Sequence, residues 1–409
     1  MTADEVARAV AEAHRHEWSF VLAATARVTR DLDLAEECVQ EAYVTALDAW
    51  ERDGVPRSPG AWLTTTARRK ALDAMRREQV LKTKLPMLIE PEVSEMDDPE
   101  SVPDDRLRLI FTCCHPALAQ EAQVALTLRL VCGIPTPHIA QAFLVSEATM
   151  AARLTRAKKK IAAAHIAYRV PDSAELPDRL DAVLTVIHLL FTTGHTAPSG
   201  DELVNLELVE RSVDLARLLR SLMPDEREVR GLLALLLVTH ARRTTRTDAS
   251  GRLLLLSEQD RTAWDRAEIE EADRLVVEAL RGPSRGRYAL QAAVAALHAV
   301  ARTYDDTDWP QILSLYGELL AIWPSPVVAL NRAIALSMVS GPEAALPVIE
   351  SLEQDGRLDG YRYLPATKAD LLRRMGRLKE AADAYRTALA QADNEAERAF
   401  LSSRLEEVS

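Results

Sequence analysis

Cysteine is scarce in this 409-residue chain: four in all, two of them the neighbours Cys113 and Cys114. So few cannot knit a disulfide framework, and they suit a reduced, cytoplasmic compartment. Aromatic residues make up 5% of the sequence and glycine contributes only 14 residues. With Ala, Leu, Arg and Glu abundant, that balance points to an all-α fold. Apolar runs fall short of the ~20 residues that a bilayer crossing needs. The opening MTADEVARAV lacks the basic-then-apolar pattern of a secretion signal. A soluble cytoplasmic protein of two or three domains, with no membrane partner, is the expectation.

Enzymatic signatures are missing as well. The nine histidines are scattered and none closes a Glu-x-x-His, so a carboxylate-bridged metal bundle has no ligands. Cys113-Cys114-His115, with Cys132 and His138 further on, superficially suggests zinc. No Cys-x-x-Cys pair exists, however, and the apolar Leu109-Ile110-Phe111 precedes the thiols, so they read as packed core. Walker, Gly-x-Gly-x-x-Gly and Gly-x-Ser-x-Gly motifs are lacking too. No catalytic residue, metal or cofactor is expected.

A positive net charge is also missing, since the chain carries −12. The deficit is local. Residues 1–170 hold 22 Lys/Arg against 24 Asp/Glu, and eight of those acids crowd positions 90–105, which contain no base. Outside that stretch the first 170 residues are basic, which is the footprint of a nucleic-acid binder masked by an acidic linker and an acidic C-terminal half.

What is present is a pair of amphipathic helices between Asp33 and Glu78. On the first, Leu34, Cys38, Ala42, Tyr43, Ala46, Leu47 and Trp50 make an apolar stripe, with Glu36, Glu37, Gln40, Glu41 and Asp48 opposite. Asp33 with Glu36 reads as its capping box. Ser58 and Pro59 start the second helix, which buries Leu63, Ala67, Ala71 and Met75. Its other face is basic, with Arg68, Arg69, Lys70, Arg76 and Arg77 against the single acid Asp73. Residues 1–30 suggest two short helices packed on this pair.

After Gly133-Ile134-Pro135 comes a helix-turn-helix pattern. Thr136 caps a helix over 137–143, Leu144-Val145 turns, and Ser146 caps a second helix reaching about His165. Met150, Leu154, Ala157 and Ile161 share its inner face, while Glu147, Thr149, Arg153, Arg156 and Lys160 share the outer one. That division suits a recognition helix, with reach toward base edges at its start and cations for phosphate further on.

The two patterns together resemble the extracytoplasmic-function sigma factors of RNA polymerase. Asp33, Ala35, Glu36, Glu37, Val39, Gln40, Glu41 and Ala42, then Trp62, Leu63, Ala67, Arg68, Ala71, Leu72, Asp73, Arg76 and Arg77, fall on that family's region 2. Ile139, Ala140, Phe143, Val145, Ser146, Thr149, Met150, Arg153, Leu154, Arg156, Ala157, Lys158 and Lys159 fall on its region 4. The resemblance implies that Asp33, Glu37, Gln40 and Glu41 bind core polymerase at the clamp helices of its largest subunit, with region 4 on the flap of the second. It implies that Arg68, Arg69, Lys70, Asp73, Arg76 and Arg77 serve the promoter −10 element. The −35 element falls to Glu147, Thr149, Arg153, Arg156, Lys158, Lys159 and Lys160. Members commonly carry Asn where Arg69 stands, and Gly in the turn where Phe143-Leu144 stands.

From residue 171 the chain is densely helical without a basic face, with spans near 176–193, 201–222, 226–242, 258–281, 287–303 and onward to 394–408. Its last third repeats. Tyr316 and Leu319 recur as Ile349 and Leu352 and again as Tyr385 and Ala388, and Ala333 and Ala345 return as Ala369 and Ala381. The period lies close to that of tetratricopeptide (TPR) helix pairs. The expected layout is region 2 over 1–80, an acidic linker over 81–105, region 4 over 106–170 and a TPR-like domain over 171–409. That last domain is expected to take a regulatory protein or peptide. The competing reading is a DNA-binding TPR-type regulator or adaptor that never meets polymerase. The acidic face at Glu37, Gln40 and Glu41 argues against it, because a simple repressor has no use for that face.

Overall fold

The computed structural model describes residues 2–83, 105–143, 145–195, 205–248, 253–282, 285–392 and 395–408, and they are helical throughout apart from one isolated β-bridge, Thr247 with Leu253. The chain divides into two compact units, Met1–Ile187 and His188–Ser409. Most of the acidic linker, 84–104, lies outside the described residues.

In the N-terminal unit α1 (Ala3–Thr29) is one long helix where two short ones were expected. Neither Gly nor Pro interrupts it, Thr2 and Glu5 close a capping box at its start, and Arg30 ends it in the left-handed region at φ 51°. α2 (Leu32–Asp53) starts earlier than the sequence suggests. Asp31, not Asp33, is the cap, its carboxylate accepting the N–H groups of Asp33 and Leu34. α3 (Pro59–Thr83) completes a three-helix bundle in which α1 packs on both partners.

The buried side of this bundle carries Leu22, Val39, Trp50 and Leu63, all shielded from solvent. Each contributes about 1.5–3 kcal/mol by leaving water, and Leu22→Ala would cost about 2–5 kcal/mol because the cavity cannot close. Leu47, assigned to the inner stripe, is instead 41% exposed.

The same unit continues through α4 (Asp105–Cys113), α5 (Gln120–Leu126), a widened helical turn over Thr127–Val131, α6 (Thr136–Ala142) and α7 (Glu147–Ala163). Cys113 and Cys114 are buried, and burial holds both thiols protonated, Cys114 being pushed up to about 12. They are packed core, as the apolar neighbours suggested. Gly133, at φ 71°, lets the backbone pass against Trp18, whose ring lies 3.0 Å from where a Cβ would sit.

α8 (Leu176–His195) runs across the division between the units. Arg179 near its start donates to the Phe111 carbonyl at 2.8 Å, so helical chain belonging with the helix-turn-helix continues past Val170.

The C-terminal unit opens with α9 (Leu206–Leu222), α10 (Arg227–His240), α11 (Arg266–Leu280) and α12 (Arg287–Val300), with α10 packed on the other three. Gly231 lets α10 meet α12 backbone to backbone. A Cβ there would lie 2.5 Å from the Ala289 nitrogen. The helix expected over 258–281 begins only at Arg266. Asp265 caps it by accepting the Glu268 N–H, and Asp260 caps a separate short turn at Arg261–Ala263.

α13 (Trp309–Ile322), α14 (Pro326–Ser340), α15 (Pro342–Asp355), α16 (Tyr363–Arg374), α17 (Leu378–Ala390) and α18 (Glu395–Glu406) then stack in chain order, each on the next. The repeat positions Leu319, Ile349, Tyr385 and Ala388 are buried, as are Ala333, Ala345, Ala369 and Ala381. Small residues at matching places let successive helices cross closely, which is TPR-like construction.

Candidate nucleic-acid interface

Helix α7 presents the two faces its periodicity predicts. Met150, Leu154, Ala157 and Ile161 are buried, and Ser146 caps the helix by accepting the Thr149 N–H at 3.1 Å. Glu147, Thr149, Arg156, Lys159 and Lys160 are exposed and Arg153 is half-buried. The N-terminal turn is thus held by its cap, and Arg156, Lys159 and Lys160 extend from the side away from the core.

On α3, Arg69, Arg76 and Arg77 are exposed, whereas Arg68, Lys70 and Asp73 are half-buried. Lys70 pairs with Glu41 of α2 at 3.2 Å, and Asp73 lies 3.9 Å from Arg76. Where α2 turns into α3, a cleft of about 560 Å³ is lined by Trp50, Arg52, Trp62, Thr65, Thr66 and Arg69 among others. Trp50 and Trp62 meet edge to face at 5.7 Å. Trp50 is buried, so the aromatic surface offered beside Arg69 is that of the half-buried Trp62, which suits an unstacked base. The sequence reading gave Arg69 to DNA and named Trp50 only as a stripe residue and Trp62 only as a family match, and it did not name Arg52, Thr65 or Thr66.

The outer face of α2 carries Glu37, Gln40, Glu41, Val44 and Asp48, all exposed and all at helical spacing. Val44 is 63% exposed in the middle of these polar groups. An apolar centre ringed by charge is the form of a docking surface. Val44 went unnoticed in the sequence because a lone valine among acids breaks no pattern.

Glu36 behaves differently from its neighbours. Assigned by the helical wheel to the solvent side, it is only 7% exposed. Its carboxylate receives Arg129 Nε at 2.6 Å and Lys158 Nζ at 2.6 Å, and Gln40 donates to it at 3.2 Å. Lys158 also reaches Asp33 at 2.8 Å. Burial alone would lower the Lys158 pKa, but Glu36 and Asp33 outweigh it and the value is raised.

Further bonds reinforce this contact. Trp18 Nε1 donates to the Leu130 carbonyl at 3.0 Å, and the Tyr168 hydroxyl donates to that of Ala23 at 3.0 Å. The helix-turn-helix thus lies against α1 and α2. Lys158, read as a phosphate contact, and Asp33, read as a polymerase contact, are occupied with each other.

A bundle with a basic third helix, joined to a helix-turn-helix that turns Arg156, Lys159 and Lys160 outward, defines a promoter-recognition protein. Residues 15–80 match sigma-70 region 2 and residues 108–161 match sigma-70 region 4, while 179–280 match a family of unknown function, DUF6596. The "Uncharacterized protein R00370" of Rhizobium meliloti (strain 1021) is 44% identical over 398 residues, spanning 95% of this chain and 93% of its own. Among solved structures, yeast Tom70 aligns with TM-score 0.38 at 13% identity, over 99% of this chain and 85% of that one. The chain belongs to the sigma-70 family, as an extracytoplasmic-function-type sigma factor with a long helical C-terminal extension. Proteins of this kind are DNA-binding regulators, and their two regions imply promoter DNA and core RNA polymerase as partners.

Proposed function

We propose that this protein binds core RNA polymerase through the outer face of α2 and directs initiation from promoters with paired −35 and −10 elements. One observation carries the reading: a docking face at Glu37, Gln40, Glu41 and Val44 stands on the same small bundle as the basic face of α3. A repressor needs only the second. The clamp helices of the largest subunit are the proposed partner of α2, with Asp33 joining once Lys158 leaves it, and the flap of the second subunit is the partner of the helix-turn-helix.

In this account Arg153, Glu147 and Thr149 read −35 bases, while Arg156, Lys158, Lys159 and Lys160 hold phosphate. Arg68, Arg69, Lys70, Asp73, Arg76 and Arg77 serve the −10 element, and the cleft beside Trp62 and Arg69 takes an unstacked base from the opened strand. The contact of Lys158 with Asp33 and Glu36 is a closed arrangement of the free protein. It separates when polymerase takes α2 and DNA takes α7. The C-terminal unit modulates this activity, and no catalytic step is assigned to it. The site of action is the cytoplasm, where polymerase works.

The test is co-purification of the chain with core polymerase, comparing wild type with the double variant Glu37→Lys, Glu41→Lys. These side chains are exposed, so the fold should persist while holoenzyme is lost. Normal holoenzyme with the double variant would return the reading to a polymerase-independent DNA-binding regulator.

A further inference from the structure

Where the C-terminal unit passes from α12 into its stacked helices, it encloses a cavity of about 360 Å³. Several elements build the wall. His298 comes from the end of α12, Tyr304 from the loop that follows, Trp309 and Tyr316 from α13, Asn331 from α14 and Asp370 from α16.

The wall is set by contacts within the fold. Asp308 caps α13 by accepting the Gln311 N–H at 2.9 Å, which fixes the helix carrying Trp309 and Tyr316. Thr303 donates its N–H and its hydroxyl to Asp306 at 3.2 and 2.9 Å, tying the loop that carries Tyr304. The buried Arg261 holds the backbone carbonyls of His298 and Ala301. The rings of His298 and Tyr304 stand at 71° and 67° to the Trp309 indole, with centroids 5.1 and 5.8 Å away.

The hydrogen-bonding groups of this lining are idle. The hydroxyls of Tyr304 and Tyr316, the Trp309 indole N–H and the Asn331 amide make no hydrogen bond with any described residue. His298 Nδ1 is buried without a partner. Burial pushes the Tyr316 phenol up to about 12 and raises that of Tyr304, so both remain donors at neutral pH. Burial, then Arg242 and Arg261, push His298 down to about 4, so its imidazole is uncharged. Among the described residues Asp370 is the one charged side chain of the lining, and Arg373 engages it at 2.7 Å. Polar groups withdrawn from the surface normally find partners within the fold. Several around one aromatic cavity without any are placed for a ligand.

We propose that this cavity binds a small, flat, uncharged heterocycle of nucleobase size, with an amino donor and ring-nitrogen acceptors on its edge. The aromatic lining suits a planar body. The Asn331 amide offers a donor and an acceptor side by side, the pair that such an edge matches. Asp370 keeps lone pairs for the amino group, because one carboxylate accepts more than a single bond. No cation lines the cavity, so a phosphate or carboxylate finds nothing there to offset its desolvation. The claim stands apart from the promoter reading and would survive its failure.

Titration of the full-length protein by calorimetry and tryptophan fluorescence tests it. The probes are adenine, purine and benzoate, each taken to about 5 mM, above the millimolar affinity of a weak specific site. Purine lacks the amino group, and benzoate replaces the hydrogen-bonding edge by a negative charge. Adenine should bind saturably and more tightly than purine, and benzoate should not displace it.

Tyr316→Phe and Asn331→Leu should each weaken adenine binding about tenfold. The unliganded melting temperature of Tyr316→Phe should be no lower than that of wild type, since the hydroxyl removed has no partner in the fold. Absence of saturable adenine binding would overturn the proposal. So would displacement of adenine by benzoate, equal affinity for purine and adenine, or undiminished adenine binding by both variants. A lower melting temperature of Tyr316→Phe without ligand would overturn it too, by giving the hydroxyl a structural role.

Discussion

In the N-terminal unit the buried carboxylate of Glu36 is gripped by Arg129 and Lys158. In the C-terminal unit the half-buried Arg242 and the buried Arg261 flank Trp264, with no carboxylate paired to them among the described residues. Each cluster holds two cationic side chains, and the groups that face them differ. The first cluster is complete in itself, so its role is to hold two parts of the chain together. The second has no paired carboxylate among the described residues; the Trp264 ring faces both guanidiniums, and the carbonyls of His298 and Ala301 accept from Arg261. Desolvation is offset in the first by a shared carboxylate and in the second by an aromatic ring and backbone carbonyls.

That contrast can be broken most forcefully at Glu36. Glu36→Ala leaves Arg129 and Lys158 buried without their shared carboxylate, and about 3–5 kcal/mol of local stability should be lost. Hydrogen exchange of the amides in α2 and α7 is the measurement; protection equal to wild type in both helices would mean that the contact holds nothing together. Lys158→Ala should cost less, about 1–3 kcal/mol, because Arg129 still holds Glu36. By contrast, Arg242→Gln should cost only about 1 kcal/mol, the worth of its contact with the Trp264 ring.

Loss of Arg153 should weaken binding to the cognate −35 element by about 1–3 kcal/mol if it pairs with a base edge. Equal losses on cognate and scrambled DNA would assign it to phosphate instead. Lys159→Ala is expected to act weakly and alike on all sequences, reducing the salt dependence of binding by about one unit of slope. A slope unchanged from wild type would remove Lys159 from the DNA contact.

The smallest effect concerns pH. Since Glu36 and Asp33 raise the Lys158 pKa despite burial, the stability it adds is fully present below the ordinary lysine value and is lost only as pH climbs through the raised one. Exchange protection of α7 should accordingly stay level across the neutral range.

The faces of α3 and α7 were legible in the sequence because periodicity alone decides them. Met150, Leu154, Ala157 and Ile161 can only turn inward together. The repeat of small residues around Ala345 and Ala381 was legible for the same reason. Glu36 was not. A helical wheel gives it to solvent, and its partner Arg129 stands 93 residues further along the chain. Nor did composition reveal that residues 258–265 form capped turns rather than helix, since the deciding caps, Asp260 and Asp265, are ordinary acids within a helix-rich stretch. Arg242 and Arg261 look like any surface arginines until burial is known.

The position of Arg179 on Phe111 changes how the C-terminal unit should be removed. Ending the chain after Val170 strips α8 from the helix-turn-helix, whereas ending it after His195 keeps that helix. Promoter activity of the longer truncation therefore reports on modulation by the extension. A rise would mark it as a brake and a fall as a required support, while equal activity in the truncated and full-length proteins would deny it a modulating role.

The most direct test of the central claim is run-off transcription by purified core polymerase from promoters selected out of a randomised DNA library by the reconstituted holoenzyme. With this protein added, transcripts should start a fixed distance downstream of a recurring pair of −35 and −10 elements, and the Glu37→Lys, Glu41→Lys variant should yield none. Transcription that does not depend on added protein, or that survives the double charge reversal intact, would contradict the account.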